Sequence, residues 1–413
     1  FKQKTAYEIR LSLVGSEMCI RDRCNLSLLN TDWYIDQMRR RAYESAPLPI
    51  LMDEEKYRQG TRDVVLIDRD PTPIDLLEAM KYTLDDDNLQ QFPGQKGYFH
   101  IPGNTFTVQV DSAAVVASGL VSAQEAKLLK SQIQWTLTNG NGNTQSYVTK
   151  NHYAALNMIA NNQWERPIYF AVTTGPESYL GLQDHFRLEG LAYRLVPFKS
   201  PKNDNPNILG TIGTDIMYDN VMDKWVWGNM DDVEHGIYMD ENNRRMVTNV
   251  RLQMANLSEA LLKERDPERA MEVLDELMRA MPKENVPYSR VMMPVAETYM
   301  QLASDTTLAP NTKNLSEVSR MKAWKMAQEI SDDFMAMQED NIAYFTSLDA
   351  EYYVAADREM QFALQVGDRL VRVMKYFHPT SDVTKALEDR LTDMESEVEA
   401  YERNLVDLGD FAF

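Results

Sequence analysis

Cysteine and histidine are nearly absent, at two Cys and five His in 413 residues. One cysteine, Cys19, lies in a stretch set aside below, which leaves Cys24. A single thiol closes no intramolecular disulfide and builds no cysteine-rich zinc site. The histidines, His100, His152, His185, His235 and His378, nowhere stand at metal-ligand spacing. Basic charge is scarce as well: 43 Lys+Arg against 63 Asp+Glu give a formal net charge of −20. That balance argues against nucleic acid, whose binding rests on neutralising phosphates, and gives no polybasic signal for anionic lipid. No apolar run approaches the roughly eighteen residues that cross a bilayer. Also missing are G-x-S-x-G, G-x-G-x-x-G and the P-loop, the usual hydrolase, dinucleotide and nucleotide fingerprints. The residue pattern therefore implies no metal and no cofactor.

What is present begins with an anomaly. "KQKTAYEIRLSLVGSEMCIRDR" (Lys2–Arg23) has neither a helical nor a strand period, and no uninterrupted apolar core of a signal peptide. The DNA string AAG CAG AAG ACG GCA TAC GAG encodes Lys2 through Glu8. Leu13 through Arg23 match a second sequencing-adapter string. Residues 1–23 are therefore set aside as an adapter-derived scar, and fold reasoning starts at Cys24.

From Cys24 to about residue 200, short apolar runs alternate with helical patterns. "NLSLL" precedes "TDWYIDQMRRRAYE", where Trp33, Ile35, Met38 and Ala42 suggest a buried stripe and Thr31 or Asp32 a cap. "DVVLI" reads as a strand. "TPIDLLEAMKYTL" reads as a helix capped by Thr72 with Pro73 in its first turn. "YFHIPGNTFTVQV" predicts two strands around Pro102 and Gly103. In "SAQEAKLLKSQ", Ser122 and Glu125 form a capping box. "IQWTL", "NHYAALNMIANN", "PIYFAV" and "LAYRLVPF" continue the alternation, which predicts an α/β layered domain with a mixed sheet over 24–200. Residues 201–243, opening on the turn-rich "SPKNDNPN", read as an irregular bridge. Residues 244–405 are helical throughout: Met246, Val250, Met254, Leu257 and Leu261 form one stripe, and Ala270, Val273, Leu274, Leu277 and Met281 the next. The short Asp266–Pro267 turn between them resembles a tetratricopeptide unit, so this part predicts an all-α helical-repeat domain with a tail at 406–413.

Two stretches hold candidate site residues. "NTDWYIDQ" places Asn30, Asp32, Trp33 and Tyr34 between an apolar run, read as a strand, and a helix. Ligands gather at that edge in open α/β sheets, and an aromatic pair with a carboxylate suits a sugar. Against this, Asp32 could simply cap the helix while Trp33 packs in the core. "LGLQDHFRLEGLAYRLVP" offers Asp184, His185, Arg187 and Glu189, which would equally serve a buried ion-pair network. "LDDDN" lacks calcium-loop spacing and reads as a solvated helix end. "NGNGN" (139–143) is followed by neither a lysine nor a helix start and reads as a turn. The sequons at Asn25, Asn256 and Asn314 are as frequent as chance allows.

Five blocks in order carry a resemblance: "CNLSLLNTDWYIDQMRRRAYESAPLPI", "GTRDVV", "ANNQWERPIYFAVT", "YLGLQDHFRLEGLAYRLVP" and "MYDNVMDKWVWGNM…MDENNRRM". With them, residues 24–405 resemble a bacterial membrane-protein family, domain-of-unknown-function family 2723, related to protein O-mannosyltransferases. The resemblance implies a multi-spanning glycosyltransferase that uses a lipid-linked sugar donor. Its N-terminal membrane region would hold the catalytic acids, followed by an extracytoplasmic α/β part and a tetratricopeptide-like tail. An acidic-aromatic segment similar to "DNDTFPLWY", which precedes "NLSLLNTDWY" in such proteins, is replaced here by the scar. The implied reading is a truncated, non-catalytic, periplasmic C-terminal fragment whose partners are the missing transmembrane region and a protein or peptide acceptor. The alternative is a self-contained interaction module binding a basic partner along its helical repeats.

Overall fold

The computed structural model describes residues 24–41, 46–91, 94, 97–205, 208–304, 315–349 and 352–407. Residues 1–23, expected to be a scar, Ala42, Asn314 and residues 408–413 lie outside them. The contacts form two units, one ending at Met217 and one beginning at Tyr218.

The first unit is α/β, built on three small sheets. In the first, β1 (Val64–Ile67) is central. It pairs in parallel with β3 (His100–Ile101) and antiparallel with β6 (Tyr147–Thr149). The second joins β2 (Ile74–Asp75), β4 (Thr105–Gln109) and β5 (Gln132–Thr136), with Phe106 opposite Trp135. The third runs β10-β8-β9-β7, formed by β7 (Tyr169–Ala171), β8 (Phe186–Leu188), β9 (Ala192–Leu195) and β10 (Thr211–Ile212). Among the described residues, three helices of eight residues or more accompany them: α1 (Asp32–Arg39), α2 (Leu76–Leu84) and α3 (Lys150–Asn162). The two strands expected around Pro102 and Gly103 are present, but they join different sheets. Phe170, Tyr179, Phe186 and Tyr193 form a ring cluster over the third sheet, with Phe186 stacked on Tyr193 at 5.5 Å. Such offset and edge-on pairs add to the area that the rings bury.

Local structure departs from the sequence expectation where backbone groups find other partners. "NLSLL" is no strand but a 3-10 turn at Leu28–Asn30, because Leu29 N–H donates to Asn25 O and Thr31 N–H to Leu28 O. The helix expected from Thr72 starts at Leu76. Ile74 and Asp75 pair with β4 instead, and the Asp75 carboxylate caps the amides of Leu77 and Glu78. The capping box forms as expected: Ser122 N–H donates to Glu125 Oε2 at 2.8 Å and Glu125 N–H to Ser122 Oγ at 3.2 Å. It opens only a 3-10 turn, Glu125–Leu128.

Among the described residues, the second unit is helical from residue 241 on, with α4 (Glu241–Lys263), α5 (Pro267–Ala280), α6 (Met292–Ala303), α7 (Glu317–Thr346), α8 (Tyr353–Phe377) and α9 (Asp382–Asp407). Helices α4 and α5 pack together, α6 packs on α7, α7 on α8, and α9 on both α7 and α8. The stripe Ala270, Val273, Leu274, Leu277 and Met281 is buried as its spacing predicts. Asp266 caps α5 and Pro267 occupies its first turn. Arg251 of α4 is fully buried. Its guanidinium donates to the carbonyls of Met281, Val286 and Pro287, tying down the chain that leaves α5. Burial pulls this guanidinium down to about 10. No helix among the described residues is long and apolar enough to cross a membrane.

Candidate functional site

The first candidate stretch converges on one buried amine. Lys150, at the junction of β6 and α3, sends its Nζ to Asp32 Oδ1 at 2.9 Å and to Asp63 Oδ1 at 2.7 Å. The second oxygen of Asp32 accepts the Gln59 amide at 2.6 Å. Asn30 Oδ1 accepts the Asn151 amide at 3.2 Å, which caps the start of α3. Asn151 Oδ1 in turn accepts from Thr149 Oγ1 at 2.5 Å and from the His152 amide at 2.9 Å. Asn30 and Asp32 therefore fix α1 to the amino end of α3. Asp32 lies in the first turn of α1, whose N-cap, Thr31, makes no side-chain cap bond. An amine buried between two carboxylates is held by charge and hydrogen bonds together.

Trp33 stands apart from that network. The expected stripe put it in the core. Tyr34, Ile35 and Met38 are buried instead, and Trp33 is 58% exposed. Burial at 34, 35 and 38 is one helical face, and Trp33 falls on the opposite side with Gln37 and Arg40. Tyr34 is inward, standing edge-on to Trp33 at 5.6 Å, and its hydroxyl accepts the Asn25 amide at 2.8 Å. Trp33→Ala is expected to change unfolding free energy by no more than about 0.5 kcal/mol, as for other exposed positions. Urea denaturation of the two proteins checks this, and a loss of several kcal/mol would place the indole in the core.

The second stretch is an ion-pair network. Arg187 is 3% exposed. Its Nε and Nη2 donate to Glu189 Oε1 at 2.8 and 2.6 Å, its Nη1 to both oxygens of Glu125 at 2.7 Å, and its Nη2 also to Leu120 O. Glu189 Oε2 accepts from the Tyr169 hydroxyl at 2.8 Å. Burial alone would lift the Glu125 carboxyl, but the bonds from Arg187 and Ser122 outweigh it and hold it below its usual range. Burial likewise works against the Arg187 charge, and Glu189 with Glu125 overcomes it. His185 donates from Nδ1 to Phe198 O at 2.7 Å, and Asp184 pairs with Lys199 at 2.7 Å. The structure thus keeps the two candidate stretches separate in their bonding, each closed by a residue outside the stretch itself. Lys150 closes the first and Glu125 the second. Lys150 sits at a strand-to-helix junction, a signal that was available; Glu125 lies 62 positions from Arg187 and was visible only as a cap.

Three histidines share one electrostatic fate. Burial holds His152, His185 and His378 below the ordinary imidazole range. Their folded-state values are depressed, so as pH falls below about 6.5 the unfolded chain takes up protons before the folded one does. Stability is therefore lost on mild acidification until pH passes below the folded values. Melting temperature followed from neutral to mildly acidic pH should fall, and His185→Gln should flatten the slope.

Among the described residues no group of three or more His, Cys, Asp or Glu is placed to hold a metal ion. A small cleft lined by Leu120, Asn162, Trp164, Arg166, Ile168 and Leu195 lies at the end of α3. Its Trp164 donates from Nε1 to Gln109 O at 2.8 Å.

No curated protein and no solved structure matches the chain. Residues 21–216, just under half of the chain, match one family model. The part of the chain that holds both candidate stretches is thus similar to the family described as TMEM260-associated domain 2.

Proposed function

We propose that this chain is the extracytoplasmic, periplasmic C-terminal part of a membrane glycosyltransferase-like protein, and that it contacts the acceptor without catalysing transfer. The match of residues 21–216 to a domain linked to a transmembrane glycosyltransferase-like protein carries the reading. In the parent, a sugar, mannose by the family resemblance, passes from a lipid-linked donor to a protein or peptide acceptor. The missing N-terminal transmembrane region supplies the catalytic acids.

Within the fragment, Asp32 and Arg187 are committed to internal ion pairs, which favours binding and positioning over acid–base chemistry. Trp33 is the side chain left facing solvent beside a rigid polar frame of Asn30, Asp32 and Lys150. An exposed indole on a fixed helix offers a flat apolar face for a sugar ring or a peptide side chain. His185 and Arg187 act as internal supports of the third sheet rather than as contacts.

Two experiments bear on this. Purified chain given a lipid-linked sugar donor and acceptor peptides should show no transfer, and clear turnover would refute the non-catalytic role. Intrinsic fluorescence titrated with mannose oligosaccharides and acceptor peptides should change in the native chain and not in Trp33→Phe. A response that persists in Trp33→Phe would remove Trp33 from the contact.

A further inference from the structure

The turn between β5 and β6 contains two Asn-Gly steps, Asn139 with Gly140 and Asn141 with Gly142. Asn-Gly is the sequence most prone to cyclisation, because the glycine nitrogen carries no neighbouring side chain to hinder its approach to the asparagine Cγ. The fold treats the two steps differently. The loop is closed by an antiparallel bridge between Thr138 and Thr144. Asn139 is tied through its side-chain oxygen, its backbone amide and its backbone carbonyl. Its Oδ1 accepts the amides of Asn141 and Asn143, each at 3.0 Å, its own amide donates to Asn143 O at 2.8 Å, and its carbonyl accepts Gly142 N–H at 2.9 Å. Gly140 is also crowded, since a Cβ there would lie 3.1 Å from Glu177 N.

Asn141 is exposed, and its side chain has no hydrogen-bond partner among the described residues. Gly142 has a φ of +77° with nothing within 4 Å of its Cβ position. One exposed turn bond, from Gly142 N–H to Asn139 O, must open before its nitrogen can move. At Asn139 the two bonds on Oδ1 hold the side chain in one orientation within a loop packed on Glu177, which slows the rotation that brings Cγ to the Gly140 nitrogen.

We infer that Asn141 is a spontaneous modification site, where the side-chain amide is exchanged for a carboxylate with water as the only co-reactant. The Gly142 nitrogen attacks Asn141 Cγ and loses its proton, the Cγ–Nδ2 bond breaks, and ammonia leaves, giving a cyclic imide. Water then opens the imide at either carbonyl, leaving aspartate or isoaspartate at 141 and one more negative charge on the loop. No electron is transferred at any step.

The test is peptide mapping by mass spectrometry of the full chain, held in mildly alkaline buffer at physiological temperature and sampled over time. Conversion at 141 should outpace conversion at 139 by about tenfold, the weight of one additional net hydrogen bond to break. Asn141→Gln should remove the fast conversion while leaving the melting temperature unchanged. Equal or faster conversion at 139 overturns the inference. So does the absence of conversion at 141 over a period in which a free peptide spanning 138–144 is converted.

Discussion

Arg187→Met should destabilise the first unit by about 3–5 kcal/mol, the usual cost of removing one partner from a buried ion pair. The reason is what remains behind. Glu189, 5% exposed, would lose both bonds from Arg187 and keep its charge beside Tyr169 and the more distant Arg194, at 3.7 Å. Glu125 would lose both of its bonds from Nη1, and the Leu120 carbonyl would lose its donor. Lysine at this position should recover little, because a single ammonium cannot reproduce a fork that reaches Glu189, Glu125 and Leu120 at once. Guanidinium chloride denaturation measures the difference. A surface residue awaiting a ligand would instead change stability by less than about 0.5 kcal/mol. A pH signature accompanies the loss. The folded-state value of Glu125 is depressed, so its contribution is present above the ordinary glutamate range and disappears as pH falls through the folded value. Arg187→Met should abolish that component of acid destabilisation.

The second large effect is expected at Arg251. Arg251→Met should cost the helical unit about 2–4 kcal/mol. It strands the carbonyls of Met281 and Val286 in the interior and that of Pro287 at its margin. Part of the loss is offset, because an arginine buried without a carboxylate carries a desolvation penalty that methionine does not. The stranded carbonyls still decide the sign, that of Met281 being the C-cap acceptor at the negative end of the α5 dipole. Hydrogen exchange should show the segment 281–287 opening first in the variant. Unchanged stability would mean that these carbonyls find water or other donors.

The helical stripes and caps were legible because they are local. Ala270, Val273, Leu274, Leu277 and Met281 recur on one face, and the Asp266 cap needs only its own neighbours. The Ser122–Glu125 box was legible for the same reason, although the turn it starts is short. Trp33 was legible as well, against the expected stripe. Positions 33 and 35 stand about 160° apart on a helix, so the spacing favours 34-35-38 as the buried face and leaves Trp33 outside it. The start of α2 was misplaced because Ile74 and Asp75 are claimed by β4, thirty-two positions downstream in the register. The sequence offered a buried ion-pair network as one reading of Arg187 and Glu189. It could not supply Glu125, since nothing in the periodicity of a strand specifies a partner so distant. Lys150 was overlooked among many charges, although a lysine between a strand end and a helix start is where two carboxylates can meet it.

Long-read sequencing of the source DNA across the codon for Cys24 tests the proposed membrane parent most directly. The account predicts that the native reading frame continues upstream into several apolar segments of about twenty residues each, with residues 1–23 absent from it. Native DNA encoding residues 1–23 behind a nearby start codon would contradict it, and the helical unit would then stand as the functional part of a free interaction protein.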